Sequence, residues 1–288
     1  LSGSASEFAG NSVSGAGDVN GDGLADVIVS AASEYALTNA NGAAYVIFGG
    51  ATGGNLSALA TAGQGFKITG ATSGGLRVGT SVSSAGDVNG DGFADVVLGT
   101  DTDQISSAAY VVYGGASPAA VNLGAGGTIA ASAGFRITGN SAQSSLSEVS
   151  SAGDVNGDGL GDILVGGSRG TSFVVYGNTT GAEISLVNGT IAASNGFKLK
   201  YSTSDLNNTA VAVSSAGDLN GDGLGDLIIG DQGSGTAGSY KIVFGGTQWI
   251  SNAVVGNGAV TGTAASEAIL GSDDNDTLVG GGGVDRFL

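Results

Sequence analysis

The sequence predicts an all-β protein, a β-propeller built of four-stranded antiparallel blades. Three observations carry that reading. An eleven-residue string recurs four times, a β-branched run follows it each time, and no stretch holds a 3.6-residue apolar period over three turns. The string is AGDVNGDGLAD from Ala16, AGDVNGDGFAD from Ala85, AGDVNGDGLGD from Ala152 and AGDLNGDGLGD from Ala216. Its first aspartates, Asp18, Asp87, Asp154 and Asp218, lie 69, 67 and 64 residues apart.

Each copy has the same surroundings. The first strand precedes it as an alternating stretch, Ser12-Val13-Ser14 in the first copy and Ser81-Val82-Ser83 in the second. The second strand follows at once: Val27-Ile28-Val29, Val96-Val97-Leu98, Ile163-Leu164-Val165 and Leu227-Ile228-Ile229. A third ends in an aromatic residue and glycine: Phe48-Gly49, Tyr113-Gly114, Tyr176-Gly177 and Phe244-Gly245. A fourth opens at Gly65, Gly134 and Gly196, each followed by phenylalanine. Short strands bounded by glycine and polar turns read as meanders. One meander cannot bury both faces, whereas radial packing of several covers the faces and shortens the edges. The second strands are apolar on both faces, as strands between neighbouring blades should be.

Composition agrees. The 288 residues include 57 Gly, but hydrophobic residues reach 41% and charged residues only 11%, which is not a disordered composition. There is no Cys and no His, so disulfides, thiolate sites, imidazole bases and ordinary zinc or copper sites are all excluded. A net charge of -17 argues against nucleic acid or an anionic membrane as partner. No run of about 20 apolar residues occurs, so no membrane span is expected. The chain opens at Leu1 without a basic, apolar leader and reads as a piece of something longer.

The repeated string is a candidate metal loop. In residues 18–26, oxygen side chains fall at positions 1, 3, 5 and 9 as Asp18, Asn20, Asp22 and Asp26, and Leu24 at position 7 can offer its carbonyl. Loop 87–95 repeats this with Asp87, Asn89, Asp91, Phe93 and Asp95; loop 154–162 with Asp154, Asn156, Asp158, Leu160 and Asp162; loop 218–226 with Asp218, Asn220, Asp222, Leu224 and Asp226. Glycine at position 6 permits the sharp turn that lets alternate side chains converge. Oxygen donors without nitrogen or sulfur select Ca²⁺, about four ions in all, over zinc or copper, and Mg²⁺ fits less well. An EF-hand would need glutamate at position 12 between helices, but Val29, Leu98, Val165 and Ile229 stand there, inside strands. A plain hairpin turn needs two turn residues, not three aspartates and an asparagine at fixed spacing four times. Twelve of the 25 acidic residues stand in these loops, so much of the acidity awaits a counterion.

These loops and the strands after them resemble FG-GAP repeats, which build the propeller of integrin α-subunits and occur in many bacterial surface proteins. The resemblance covers about residues 1–261. The name-giving pieces depart from the pattern: the Phe-Gly pair stands as Ala9-Gly10, Val78-Gly79, Ser145-Leu146 and Thr209-Ala210. The resemblance implies a propeller with one Ca²⁺ between the first two strands of each blade. Integrin propellers have seven blades, and four repeats are visible here. Leu1-Ser2-Gly3 aligns with Ile68-Thr69-Gly70, and Val260-Thr261-Gly262 aligns there too, which makes four complete repeats. Four blades could close alone, belong to a larger ring, or be shared between two chains; the reading leans to a larger or shared propeller.

Residues 262–288 change period to nine. The last nonapeptide, Gly280 to Leu288, matches G-G-x-G-x-D-x-U-x, and the two before it are degenerate. This segment resembles an RTX β-roll, with Asp276 and Asp285 as weaker Ca²⁺ ligands. The resemblance implies a bacterial protein exported by a type I system.

Function is thus expected to be that of a calcium-binding, secreted or cell-surface structural or adhesion module. Its partner would be an extracellular protein or glycan, or further copies in a surface layer or filament. A lectin-like propeller is the alternative, with Tyr35, Tyr201 or Trp249 stacking on sugar, as is a non-catalytic accessory domain of a secreted enzyme. Carboxylates outside the loops, Asp101, Asp103, Asp205 and Asp231, could serve acid/base chemistry, and Asp101-Thr102-Asp103 occurs in one repeat only, but without His, Cys or a one-off motif these read as solvated loop residues and catalysis is not expected.

Overall fold

The computed structural model describes residues 2–3, 9–31, 42–70, 76–102, 108–124, 126–139, 146–166, 171–186, 190–200, 211–231 and 239–246. It also describes five short strands beyond residue 252. Each repeat is an antiparallel meander. The first unit contains β1 (Val13–Gly17), β2 (Asp26–Ala31), β3 (Ala43–Ile47) and, after a short helix α1 (Leu56–Thr61), β4 (Gly65–Thr69). The second contains β5 (Leu76–Gly86), β6 (Asp95–Thr102), β7 (Ala108–Val112), a two-residue β8 (Val121–Asn122) and β9 (Gly134–Gly139). The third contains β10 (Glu148–Gly153), β11 (Asp162–Gly166), β12 (Thr171–Val175), β13 (Ile184–Leu186) and β14 (Gly196–Lys200). The fourth contains β15 (Val211–Gly217), β16 (Asp226–Asp231) and β17 (Ser239–Val243).

Consecutive units stack face to face, and the apolar core lies between them. Ile28, Val46, Phe66 and Ile68 of the first unit pack on Val82, Val96, Leu98 and Tyr110 of the second. Val97, Val111 and Phe135 of the second meet Ile163, Phe173 and Val175 of the third. Leu164, Val174 and Phe197 of the third meet Leu227, Ile229 and Val243 of the fourth. The second strands therefore bury both faces where they are flanked on both sides, which explains their uninterrupted β-branched runs. Burying one such side chain contributes roughly 1.5–3 kcal/mol.

The structure adds a device the repeat pattern did not predict. The connection between the third and fourth strands of one unit reaches back and pairs, in parallel, with the fourth strand of the unit before. Thus β8 lies on β4 (Thr69 opposite Asn122), and β13 lies on β9 (Ile137 opposite Ile184). The strand β18 (Ala253–Val255) lies likewise on β14 (Lys200 opposite Val254). In the first unit the same connection carries α1, capped by Asn55, whose side chain accepts hydrogen bonds from Ser57 and Ala58 N–H.

One expectation is corrected. The fourth unit has a three-stranded sheet, β15-β16-β17, among the described residues. Its anticipated fourth strand, around Val260-Thr261, forms β19 (Ala259–Thr261) and pairs instead with β21 (Thr277–Val279). The strands β20 (Ala268–Leu270) and β22 (Arg286–Phe287) extend the third sheet from β18, giving the order β10-β11-β12-β14-β18-β20-β22. The reason is edge chemistry: an unpaired row of N–H and C=O groups on β14 is satisfied by whichever strand reaches it. Within the tail, Ala259 pairs with Thr277 and Ala268 with Arg286, both offset by 18 residues, or two nonapeptides.

Candidate metal centre

Each loop joins the first two strands of a unit, and a β-bulge aims it. The register of β1 on β2 shifts between Gly15 and Gly17, leaving Ala16 extra, and the other three units shift at the same place. The glycine after the bulge takes a left-handed φ, +78° at Gly17. The chain then curls around the first aspartate. Asp18 Oδ1 accepts from Gly21 N–H at 2.7 Å and Asp22 N–H at 3.1 Å, and its Oδ2 accepts from Gly23 N–H at 2.8 Å. Asn20 Oδ1 accepts from Asp22 N–H, and Asp22 Oδ1 accepts from Leu24 N–H. Asn20 Nδ2 donates to Asp22 Oδ2. This is the Asx-turn chemistry by which short polar side chains stand in for a backbone turn.

The pattern recurs almost atom for atom. The first of these bonds is 2.7 Å in all four loops. Position 6 is glycine because its φ is between +84° and +89° in every copy, a conformation L side chains rarely adopt. At Gly21, in position 4, a Cβ would also lie 2.5 Å from the Phe93 ring of the next unit.

Position 9 is built differently. Asp26, Asp95, Asp162 and Asp226 are buried, at the first residue of the second strand. Asp95 Oδ2 accepts from Val88 N–H at 2.9 Å and its Oδ1 from Gly114 N–H at 2.8 Å. The same two bonds recur at Asp26 (Val19, Gly49), Asp162 (Val155, Gly177) and Asp226 (Leu219, Gly245). Burial pushes the Asp95 and Asp162 carboxyls up to about 7, and the like charges of the loop aspartates add to this. The two backbone N–H groups pull each back only in part. Asp26 is raised for the same reasons.

The glycine closing the third strand is a site residue that motif reading missed. Gly49, Gly114, Gly177 and Gly245 each donate to the ninth-position carboxylate from a different hairpin. The aromatic-glycine pair recurring in every repeat was the available signal. Beside it, the Tyr113 hydroxyl is buried without a hydrogen-bond partner, and burial with Asp95 and Asp91 nearby pushes it up to about 12.

The loops also join the units. Asp18 C=O accepts from Ala94 N–H, Asp87 C=O from Gly161 N–H and Asp154 C=O from Gly225 N–H, at 2.7–3.0 Å. Val19 C=O accepts from Gly115 N–H, and Val155 C=O from Gly246 N–H.

Residues 9–47 and 78–112 match the family model described as FG-GAP repeat. These two segments are FG-GAP repeats. They span the first three strands, and the loop, of the first unit and most of the corresponding part of the second. The third and fourth units carry the same loop, the same bulge and the same strand order as the two matched FG-GAP repeats.

As the loops stand, their oxygens are taken by backbone N–H groups, and among the described residues no three acidic side chains come together as a metal-holding group. The donor set nevertheless fits a hard cation. It is oxygen only, the carboxylate oxygens of Asp22 and Asp26 each accept one of the bonds given above, and burial, with the like charges of the loop, raises the carboxyls of Asp95 and Asp162 at the ninth position. Residues that would hold the ion in the first loop are Asp18, Asn20, Asp22, the Leu24 carbonyl and Asp26.

Asp276, Asp285, Tyr35, Tyr201, Trp249, Asp103 and Asp205 lie outside the described residues. Asp101 stands in β6 opposite Arg77, and Asp231 ends β16 opposite Ser239. Among the described residues no helix is long and apolar enough to cross a membrane.

Proposed function

We propose that this chain is a calcium-stabilised, non-catalytic propeller module of an extracellular or cell-surface protein, serving structure or adhesion. One observation carries the reading. A buried aspartate, raised by desolvation and by two aspartates of its own loop, stands in the same place in each of the first three units. A cation supplies the missing positive charge: it offsets the repulsion and ties the first two strands of a unit together. The backbone N–H groups then hold each carboxylate in place, while the main-chain carbonyls of positions 1 and 2 carry the constraint to the next unit. FG-GAP repeats are typical of extracellular and cell-surface proteins, which supports the location. The 18-residue offset of the tail strands supports an RTX-like roll, and with it bacterial type I secretion.

Isothermal titration of the metal-free chain with Ca²⁺ tests this. Binding of about four ions, lost loop by loop in Asp→Ala variants of position 1, is the expected result. Absence of heat with Ca²⁺, together with a melting curve that chelator leaves unchanged, would refute it.

A further inference from the structure

The aromatic residue that closes the third strand stands beside the ninth-position aspartate in every unit. The ladder of β6 on β7 pairs Val96 with Val112, so Asp95 and Tyr113 are the next residues in register. The same count sets Asp162 beside Tyr176, Asp26 beside Phe48 and Asp226 beside Phe244. Side chains opposite each other on an antiparallel pair share a face.

The rings are placed alike whether or not they carry a hydroxyl. Phe48 lies on Phe66 with 6.2 Å between ring centroids, Tyr113 on Phe135 with 6.3 Å and Tyr176 on Phe197 with 6.1 Å, tilted by 49°, 56° and 58°. Packing therefore asks only for the ring. The hydroxyl is an addition made in the second and third units.

That addition is unfavourable where it stands. The Tyr113 hydroxyl is buried and has no hydrogen-bond partner, and a buried polar group left unpaired destabilises a fold. The carboxylates whose charge it feels belong to its own loop, Asp95 at position 9 and Asp91 at position 5; for Tyr176 they are Asp162 and Asp158. As the loop stands, neither carboxylate takes a hydrogen bond from the Tyr113 hydroxyl.

A cation in the loop would bring the partner. Ca²⁺ takes 6–8 oxygens. Asp87, Asn89, Asp91, the Phe93 carbonyl and Asp95 offer five donor residues, and water commonly fills the balance at such sites. We propose that Tyr113 is a positioning residue for the cation of loop 87–95, its hydroxyl holding a water bound to the ion, and that Tyr176 does the same for loop 154–162. The four loops then form two classes. Loops 87–95 and 154–162 have the hydroxyl and hold their ions more tightly; loops 18–26 and 218–226 stand beside Phe48 and Phe244 and lack it. Partners of this kind, one step removed from the metal, orient its ligands and tune its affinity. The inference rests on the calcium reading.

Calorimetric Ca²⁺ titration of the full chain, of Tyr113→Phe and of Tyr176→Phe tests it, together with melting curves in chelator and in Ca²⁺. Phenylalanine already fills this place in the first unit, so both variants keep the ring packing. Each should bind as many ions as the wild type, one of them weaker by about three- to tenfold, the size of one hydrogen bond. In chelator the Tm of Tyr113→Phe should equal or exceed that of the wild type, because an unpaired buried hydroxyl is gone; in Ca²⁺ it should fall below. In an Asp87→Ala background, which lacks that ion, Tyr113→Phe should leave the remaining affinities unchanged. Wild-type affinity in both variants would overturn the inference. So would a Tyr113→Phe chain less stable than the wild type in chelator, since the hydroxyl would then serve the fold without metal. A wild-type chain that binds no Ca²⁺ removes the calcium reading and this inference together, whereas equal binding of about four ions by wild type and variants strikes this inference alone.

Discussion

Loops 87–95 and 218–226 have nearly the same sequence, yet their surroundings differ. Inside, they are alike: Asp87 and Asp218 each accept from the N–H groups of positions 4, 5 and 6, at 2.7, 3.1 and 2.8–2.9 Å. Outside, Val88 is fully buried beneath the third unit, whereas Leu219 at the same position is mostly exposed. Asp87 C=O accepts from Gly161 N–H across the interface, and Asp218 C=O accepts no such bond among the described residues. Local conformation belongs to the loop; burial belongs to the neighbour. A repeat can therefore be read correctly one copy at a time, while its stability cannot.

The largest test of that contrast is metal removal. If the loops hold Ca²⁺ as proposed, each ion would stabilise the folded chain by about 2.7 kcal/mol at a hundredfold excess of ligand over Kd. Chelation should then lower Tm by several degrees for each ion lost, since 1 kcal/mol corresponds to about 2–4 °C at this chain length. Loop 218–226, covered on one side only, should release its ion first as chelator is added. A calorimetric scan series with simultaneous loss from all loops would break the comparison.

Next comes the residue at position 2. Val88→Asp leaves a charge buried between units and should cost about 3–5 kcal/mol in urea unfolding. Leu219→Asp, at an exposed position, should change stability by less than about 0.5 kcal/mol. Equal effects would show that the fourth loop is as enclosed as the second.

Smaller effects separate steric from conformational demands on glycine. A Cβ at Gly114 would lie 2.4 Å from Ala94 C=O and 2.6 Å from Val19 C=O, in the adjacent unit. Gly114→Ala should cost about 2–3 kcal/mol, because the bond to Asp95 must also give way. Gly223 has open space around it and only a φ of +87°, so Gly223→Ala should cost about 1–2 kcal/mol. Denaturant midpoints of the two variants give the difference directly.

The smallest is Glu183→Gln. Its carboxylate receives Arg136 Nη2 at 2.6 Å and Thr138 Oγ1 at 3.1 Å, linking the second and third units at the surface. An exposed pair of this kind contributes about 0.2–1 kcal/mol, and added salt should erase most of the change.

Much of this was legible in the sequence. Four copies of one string placed four loops, and the β-branched runs after them placed the buried second strands. The ninth aspartate stood out because an EF-hand end was missing. What stayed hidden has a common cause. Strands β8 and β13 are two and three residues long, too short for any apolar period, and exist because a neighbouring edge needs partners. The bond from Gly114 to Asp95 joins residues 19 apart through tertiary packing. Helix α1 is a six-residue element that buries Leu56 and Leu59 against the first sheet, again a matter of context rather than pattern. The misplacement of Val260-Thr261 belongs with these: a good strand took the edge within reach.

The back-reaching strands impose an order in time. A unit's outermost strand gains its last partner only from the connection inside the following unit. As the chain emerges from a ribosome, every unit waits on its successor, and whichever unit came last is unfinished. Such a chain matures from its amino end in a fixed sequence, like a zip that cannot be started in the middle. An interrupted product would carry its incomplete, edge-exposed unit at the point of arrest, where proteases and chaperones would find it.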